Sequence, residues 1–210
     1  MFVAMKRLII VAMLCSAYAA IAKGQTTDCS PSMAELKKTA IAAKVANPGD
    51  DFAVIKAIDK AAGIDTAYAT QHPAISLSKI EGLSAYLTLP FLSYRLAVSE
   101  ALRKRESIES VQLPRGAIVS VSPSTLDAPD IIKVVVTRNG VDVQPLASTV
   151  KPTELTTRMG AKVVLHAGEL LFPCGTFDGT EDVTVILIPN VGANIKTTVS
   201  RGELALFNRR

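Results

Sequence analysis

Apolar positions recur at two different periods along this chain, and the period changes near Leu113-Pro114-Arg115-Gly116. Before that point the spacing is three and four residues, as on one face of a helix. Ser30-Pro31 predicts a helix start, with Pro tolerated in the first turn, and Ser32-Met33-Ala34-Glu35 has the form of a capping box. Met33, Leu36, Ala40, Ala43 and Val45 supply the stripe, and Asn47-Pro48-Gly49-Asp50 stops it. Asp50 or Asp51 is placed to cap a second helix, with Phe52, Ile55 and Ile58 on one stripe and Gly63 at its end. Ser78-Lys79-Ile80-Glu81 is a second capping-box pattern, followed by Ile80, Leu83, Leu87 and Phe91 at steps of three and four. Pro90 inside that pattern predicts a kink or break. Leu92, Leu96, Ser99 and Leu102 carry a stripe onward to Arg103-Lys104-Arg105, three cations suited to the last turn of a solvated helix end. Residues 30–112 therefore read as helical, with Thr70-Gln71-His72-Pro73 as a loop between helices.

After the change, β-branched residues alternate with polar ones. Ile132, Val134 and Val136 share one face and Lys133 and Thr137 the other. Asn139-Gly140 follows, the strongest short hairpin signal. A two-residue turn there pairs Val136 with Val143 and Thr137 with Asp142, so turn and alternation agree on one register. Further strands are expected at residues 117–121, 162–166, 170–172, 183–188, 196–199 and 204–207, with a turn at Ala167-Gly168. Seven or eight short strands in the last hundred residues or so predict a β-sandwich of immunoglobulin-like architecture. The Cys and Trp hallmarks of true immunoglobulin domains are missing. The expected fold class is α+β, a helical region at 23–112 followed by an antiparallel β-sandwich at 113–210.

The first 22 residues read differently from both regions. Met5-Lys6-Arg7 is a short basic segment, residues 8–22 are uncharged and mostly apolar, and Ala17-Tyr18-Ala19 and Ala20-Ile21-Ala22 are small-x-small sites. That order is the signature of a secretory signal peptide. Cleavage is expected after Ala22, where the chain turns polar, or after Ala19. A retained anchor is the competing reading, but the run falls short of the roughly 20 residues that span a bilayer. Removing the 22 residues leaves 188 of 210 and, because Lys6 and Arg7 leave with them, lowers the net charge from +4 to +2. That weak charge does not point to nucleic acid. Aromatic content of 5% and the absence of Trp likewise disfavour stacking platforms for bases or sugars. The expected location is periplasmic or extracellular, with no integral membrane segment after cleavage.

Candidate chemistry is sparse. Cys15 leaves with the signal, so the mature chain holds Cys29 and Cys174, which an oxidising compartment permits to form one disulfide. Two separate thiols are the alternative. The histidines are His72 and His166. His166 and Cys174 are eight apart with Asp178 close behind, which allows a Cys-His nucleophilic pair with an orienting carboxylate. His166 on a strand, facing away from Val163 and Leu165, also reads as an ordinary surface residue. Asp178-Gly179-Thr180-Glu181-Asp182 resembles half of a calcium loop, but the further acidic ligands and the downstream bidentate Glu are absent, so it reads as turn chemistry. No metal, cofactor or catalytic set is expected. The sequence thus predicts an exported, non-enzymatic envelope protein that binds a protein or an envelope component, the alternative being a thiol or hydrolytic enzyme using Cys174 and His166.

Overall fold

The computed structural model describes residues 29–125, 127–156 and 160–207. The expected signal segment, residues 1–22, and the expected start of the mature chain at Lys23 lie outside the described residues. Helix α1 (Ser30–Ala46) buries Met33, Leu36 and Ala40, as their spacing predicts. It starts with Cys29 in the cap position, so Ser32 falls inside the helix rather than ahead of it as a capping box requires. Helix α2 (Asp51–Ala61) is capped by Asp50, whose carboxylate accepts from the Ala53 amide at 2.9 Å. Its end is closed by Gly63 at φ 70, with Gly63 N–H on Lys60 O and Ile64 N–H on Asp59 O, the paired bonds that satisfy the last carbonyls of a helix. Phe52 is 66% exposed, contrary to its expected place in the core stripe. The buried face is Val54, Ile55, Ile58 and Asp59. A short helix α3 (Thr66–Gln71) follows, capped by Asp65.

The expectation of helix across 30–112 fails at residues 75–88. The chain there forms strands β1 (Ile75–Ser76) and β2 (Leu83–Thr88), paired antiparallel. Leu83, Ala85 and Leu87 are buried while Ser84, Tyr86 and Thr88 face the other way, the two-residue period of a half-buried strand. Ser78 does accept an amide bond, from Ile80 N–H at 3.1 Å, but within the turn that leads into β2. Pro90 kinks nothing. It occupies the first turn of helix α4 (Pro90–Lys104), where its missing N–H costs no hydrogen bond.

Strand β2 pairs along its whole length with β3 (Ala117–Pro123), across the expected 112/113 division. The first sheet runs from β1 through β2 and β3 to β8 (Lys162–Phe172) and β6 (Ala147–Ser148), with β7 (Lys151–Thr156) also on β8. Strand β8 (Lys162–Phe172) is one strand of 11 residues, not two separated by a turn at Ala167-Gly168. Its first half pairs with β7 (Lys151–Thr156), and its second half with β3 and β6 (Ala147–Ser148). At the changeover Gly168 has φ 151 and lies directly against the backbone of Thr149 and Val150.

The second sheet comprises β4 (Ile131–Arg138), β5 (Val141–Val143), β9 (Val183–Pro189) and β10 (Ile195–Val199). Its order is β10-β9-β4-β5, all antiparallel. The β4–β5 hairpin has the expected register, Val136 opposite Val143 and Thr137 opposite Asp142. Asn139 at φ 51 and Gly140 at φ 74 supply the two left-handed residues of its turn. Residues 204–207, expected as a strand, belong instead to helix α5 (Arg201–Phe207). Its buried residues Leu204 and Phe207 stand three apart, and the Glu203 amide donates to Ser200 Oγ at its start.

Helices and both sheets contribute to one hydrophobic cluster, including Leu36, Ile58, Leu92, Leu87, Phe172, Val136, Leu187 and Phe207. Leu87, Phe172 and Leu187 are fully buried, each stabilising the fold by about 1.5–3 kcal/mol relative to exposure. The fold is mixed α+β, with helices and two antiparallel sheets.

Candidate partner-binding site

Cys29 precedes α1, and Cys174 opens a short 3-10 turn (Cys174–Phe177) after β8. The fold brings them to disulfide distance, with Cα atoms 5.2 Å apart, inside the range that bridged cysteines occupy. His166 lies elsewhere. Phe172 stands six positions further along β8, roughly 20 Å away at the usual rise. Its Nδ1 stands 3.0 Å from Asp130 Oδ1, and its own amide donates to the same carboxylate at 2.6 Å. The third member of the suggested nucleophilic set, Asp178, is engaged by Arg138. Cys174, His166 and Asp178 are thus not assembled into one site.

The half-calcium segment is a turn tied down by Arg138. Arg138, at the end of β4, donates to Glu181 at 3.0 Å, to Asp178 at 3.1 Å and to Thr180 Oγ1 at 2.6 Å, and it also contacts Gly175 O. Partial burial pushes the Asp178 carboxyl up, but the Thr180 amide and hydroxyl together with the Arg138 charge outweigh it and hold it below its ordinary range. Glu181 is held low by hydrogen bonds from Asn139 and Arg138. Asp182 accepts from the Arg201 amide. Among the described residues, no three His, Cys, Asp or Glu side chains group closely enough to hold a metal ion. His72 ends α3 with its ring 4.5 Å from that of Tyr68. Of the basic trio, Arg103 and Lys104 pair with Glu100, and Arg105 takes the left-handed position after α4.

A different place in the fold carries features of a binding site. Strand β10 is the last strand of the second sheet and β1 the last strand of the first, so each has one edge without a strand neighbour. The chain leaving β1 passes beside β10, and Thr197 Oγ1 donates to Leu77 O at 2.7 Å. Leu77 N–H is already used, donating to Ala85 O. An open cleft of about 420 Å³ lies here, lined by residues 76–80 and 195–198. Its loop wall is organised locally, with Ser76 Oγ donating to Ser78 O and Ser78 Oγ accepting from Ile80 N–H. Lys79 and Lys196 are both exposed on its lining, which includes no carboxylate. Among the described residues neither lysine has a hydrogen-bond or ion-pair partner.

Sequence reasoning missed this site because its walls come from segments more than a hundred residues apart. Neither segment has a motif, and two isolated lysines attract no notice in a chain with 23 Lys and Arg. The only local signal was Ser78, read as a helix cap. Compared with protein-family models, curated proteins and solved structures, the chain matches none. Among the described residues, no helix is long and apolar enough to cross a membrane.

Proposed function

We propose that this is an exported, non-enzymatic protein that binds another protein or an envelope component through its β region, which in this reading is a β-sandwich of immunoglobulin-like kind. The observation that carries the binding role is the open cleft at the edges of β1 and β10, lined by two lysines that have no partner among the described residues and by no carboxylate. Export is supported by the Cys29–Cys174 arrangement, since disulfides persist in oxidising compartments and are rare in the cytosol. The basic, apolar and small-residue order of residues 5–22 supports the same reading. The sandwich reading is supported by the inward faces of both sheets entering one core, Val119 and Phe172 from the first and Val136 and Leu187 from the second.

Two measurements test this. Cells producing the full chain are fractionated, and the protein is analysed by intact mass without reduction. Export predicts an extracytoplasmic protein that starts at Lys23 or Ala20 and lacks free thiols. A full-length, reduced protein in the cytosol overturns it. A photoreactive residue placed at Lys79, Thr198 or, as a control, exposed Phe52 then tests binding in the same cells. Discrete adducts from the two cleft positions and none from position 52 support the role. No adduct from either cleft position in correctly exported protein overturns it.

A further inference from the structure

We infer that the cleft accepts an extended acidic segment of a partner polypeptide, added as a strand to the free edge of β10, with its carboxylates paired to Lys79 and Lys196. The inference rests on the proposed binding role and names the chemistry of the partner.

Strand β10 pairs with β9 along Ile195–Val199, and among the described residues its backbone makes no hydrogen bond on the opposite side. An edge strand directs the N–H and C=O of alternate residues outward, a template for one more strand. Native proteins blunt such edges with proline, a bulge, a covering segment or a charged side chain, lysine above all; β10 carries the last of these in Lys196, whose charge an acidic strand neutralises. The β9–β10 register is continuous, residues 195–199 contain no proline, and the neighbouring segment is joined by one side-chain bond, from Thr197 of β10 to Leu77 O, rather than by a backbone ladder. Among the described residues, no strand and no backbone hydrogen bond closes this edge where the cleft gives access to it.

The side chains around that edge define what the added strand must carry. Along β10, Lys196 and Thr198 face outward while Ile195, Thr197 and Val199 are the more buried set. An added strand alternates in the same way, so one set of its side chains lies beside Lys196 and Thr198 and the other beside Ile195 and Thr197. Carboxylates on the first face meet an unpaired ammonium, and small apolar groups on the second meet Ile195. Lys79 adds a second cation from the loop wall, next to Ile80, which is 41% exposed. With no negative charge on the lining, a basic segment is repelled. A polysaccharide of the same charge could pair with the lysines but has no main-chain amides to continue the sheet, and the lining offers no aromatic ring for sugar stacking.

The test uses the oxidised full mature chain and a fluorescein-labelled peptide of alternating Glu and Val, read by fluorescence anisotropy. Saturable binding is expected. It weakens about tenfold or more in the Lys79→Glu/Lys196→Glu variant, weakens comparably when the peptide amides on one face are N-methylated, and is absent for an alternating Lys and Val peptide. Absence of saturable binding, or binding unaffected by the double substitution or by N-methylation on either face, overturns the inference. So does full competition by polygalacturonate together with indifference to N-methylation, which assigns the site to polyanions in general. If the double variant loses its native circular dichroism, Lys79→Gln and Lys196→Gln tested singly replace it, each expected to weaken binding. Adducts from the cleft in cells with no acidic-peptide binding in solution would sink this inference while leaving the binding role standing.

Discussion

Arg95 on α4 donates from Nε to Asp59 Oδ1 on α2 at 2.8 Å, and both side chains are buried in the helical layer. Arg95 also donates to Thr70 Oγ1 at 2.9 Å, and Thr70 passes the chain of bonds to Thr66 O in α3. One guanidinium therefore holds three helices together. The other Asp59 oxygen, Oδ2, has no hydrogen-bond partner among the described residues. Removing one member of such a pair leaves a buried uncompensated charge, which costs about 3–5 kcal/mol, whereas replacing both with apolar groups is often neutral or stabilising. Arg95→Met is thus expected to lower the unfolding free energy by about 3–5 kcal/mol, and Asp59→Leu added to it to recover most of that loss. Urea denaturation of the two variants checks this; equal instability of single and double variants would refute it.

Tyr94 is the neighbour of Arg95 and is fully buried, with a hydroxyl that has no partner among the described residues. Burial pushes its phenol up to about 12. A buried unpaired hydroxyl costs about 1–3 kcal/mol, so Tyr94→Phe should raise stability by about 1 kcal/mol. The folded state binds the phenolic proton more tightly than the unfolded chain does. The fold therefore keeps its full stability below pH ~10, the ordinary tyrosine range, and loses stability as pH rises toward 12. Wild type should lose stability over that interval more steeply than Tyr94→Phe, as thermal melts at pH 9 and 11 would reveal.

The Arg138 network predicts the opposite dependence at acid pH. Asp178 and Glu181 are both held below their ordinary values in the folded state, so their contribution is present above pH ~4 and is lost as pH falls through the folded values. These carboxylates are more than a third exposed, so solvent screening keeps the effect small. Arg138→Met should lower stability modestly at pH 6 and make it less dependent on pH between 6 and 2. Parallel slopes for variant and wild type would count against the network.

Two glycines separate backbone strain from steric contact. An added Cβ at Gly140 meets nothing within 4 Å, so Gly140→Ala pays only for positive φ, about 1 kcal/mol. At Gly168 the added Cβ would lie 2.6 Å from Thr149 O and Val150 Cα, backbone atoms that cannot rotate aside. Gly168→Ala should therefore cost about 3 kcal/mol or more. Comparable denaturation midpoints for the two variants would contradict the close approach of β8 to the chain before β7.

The parts of the fold that local chemistry decides were legible in the sequence. Asn139-Gly140 demands a two-residue turn, and that turn fixes the register of β4 and β5 before any long-range contact is known. Asp50 and Gly63 marked the ends of α2 for the same reason. Strand β2 was hidden by arithmetic, because Leu83 and Leu87 are four apart and satisfy the periods of both helix and strand. Helix α4 was found but rotated: counting apolar residues chose Leu96, which is 44% exposed, over Arg95, which is buried because Asp59 on another helix receives it. The cleft could not be read at all, since Lys79 and Lys196 meet only through the way the edges of two sheets come together.

The placement of Cys29 and Cys174 also decides how the molecule responds to being pulled. Their bond would link positions 145 apart in sequence and close a covalent ring that encloses α1 to α4 and β1 to β8. Tension between the segments flanking the pair would cross the sulfur atoms and bypass everything within the ring. Among the described residues, the Cys174–Phe177 turn, β9, β10 and α5 would lie in the line of force, and β9 is laid along β4, which the ring encloses. A protein moored at its beginning and gripped at its later residues would give up that outer sheet edge first, together with the cleft beside β10, while the helical layer and the first sheet kept their shape.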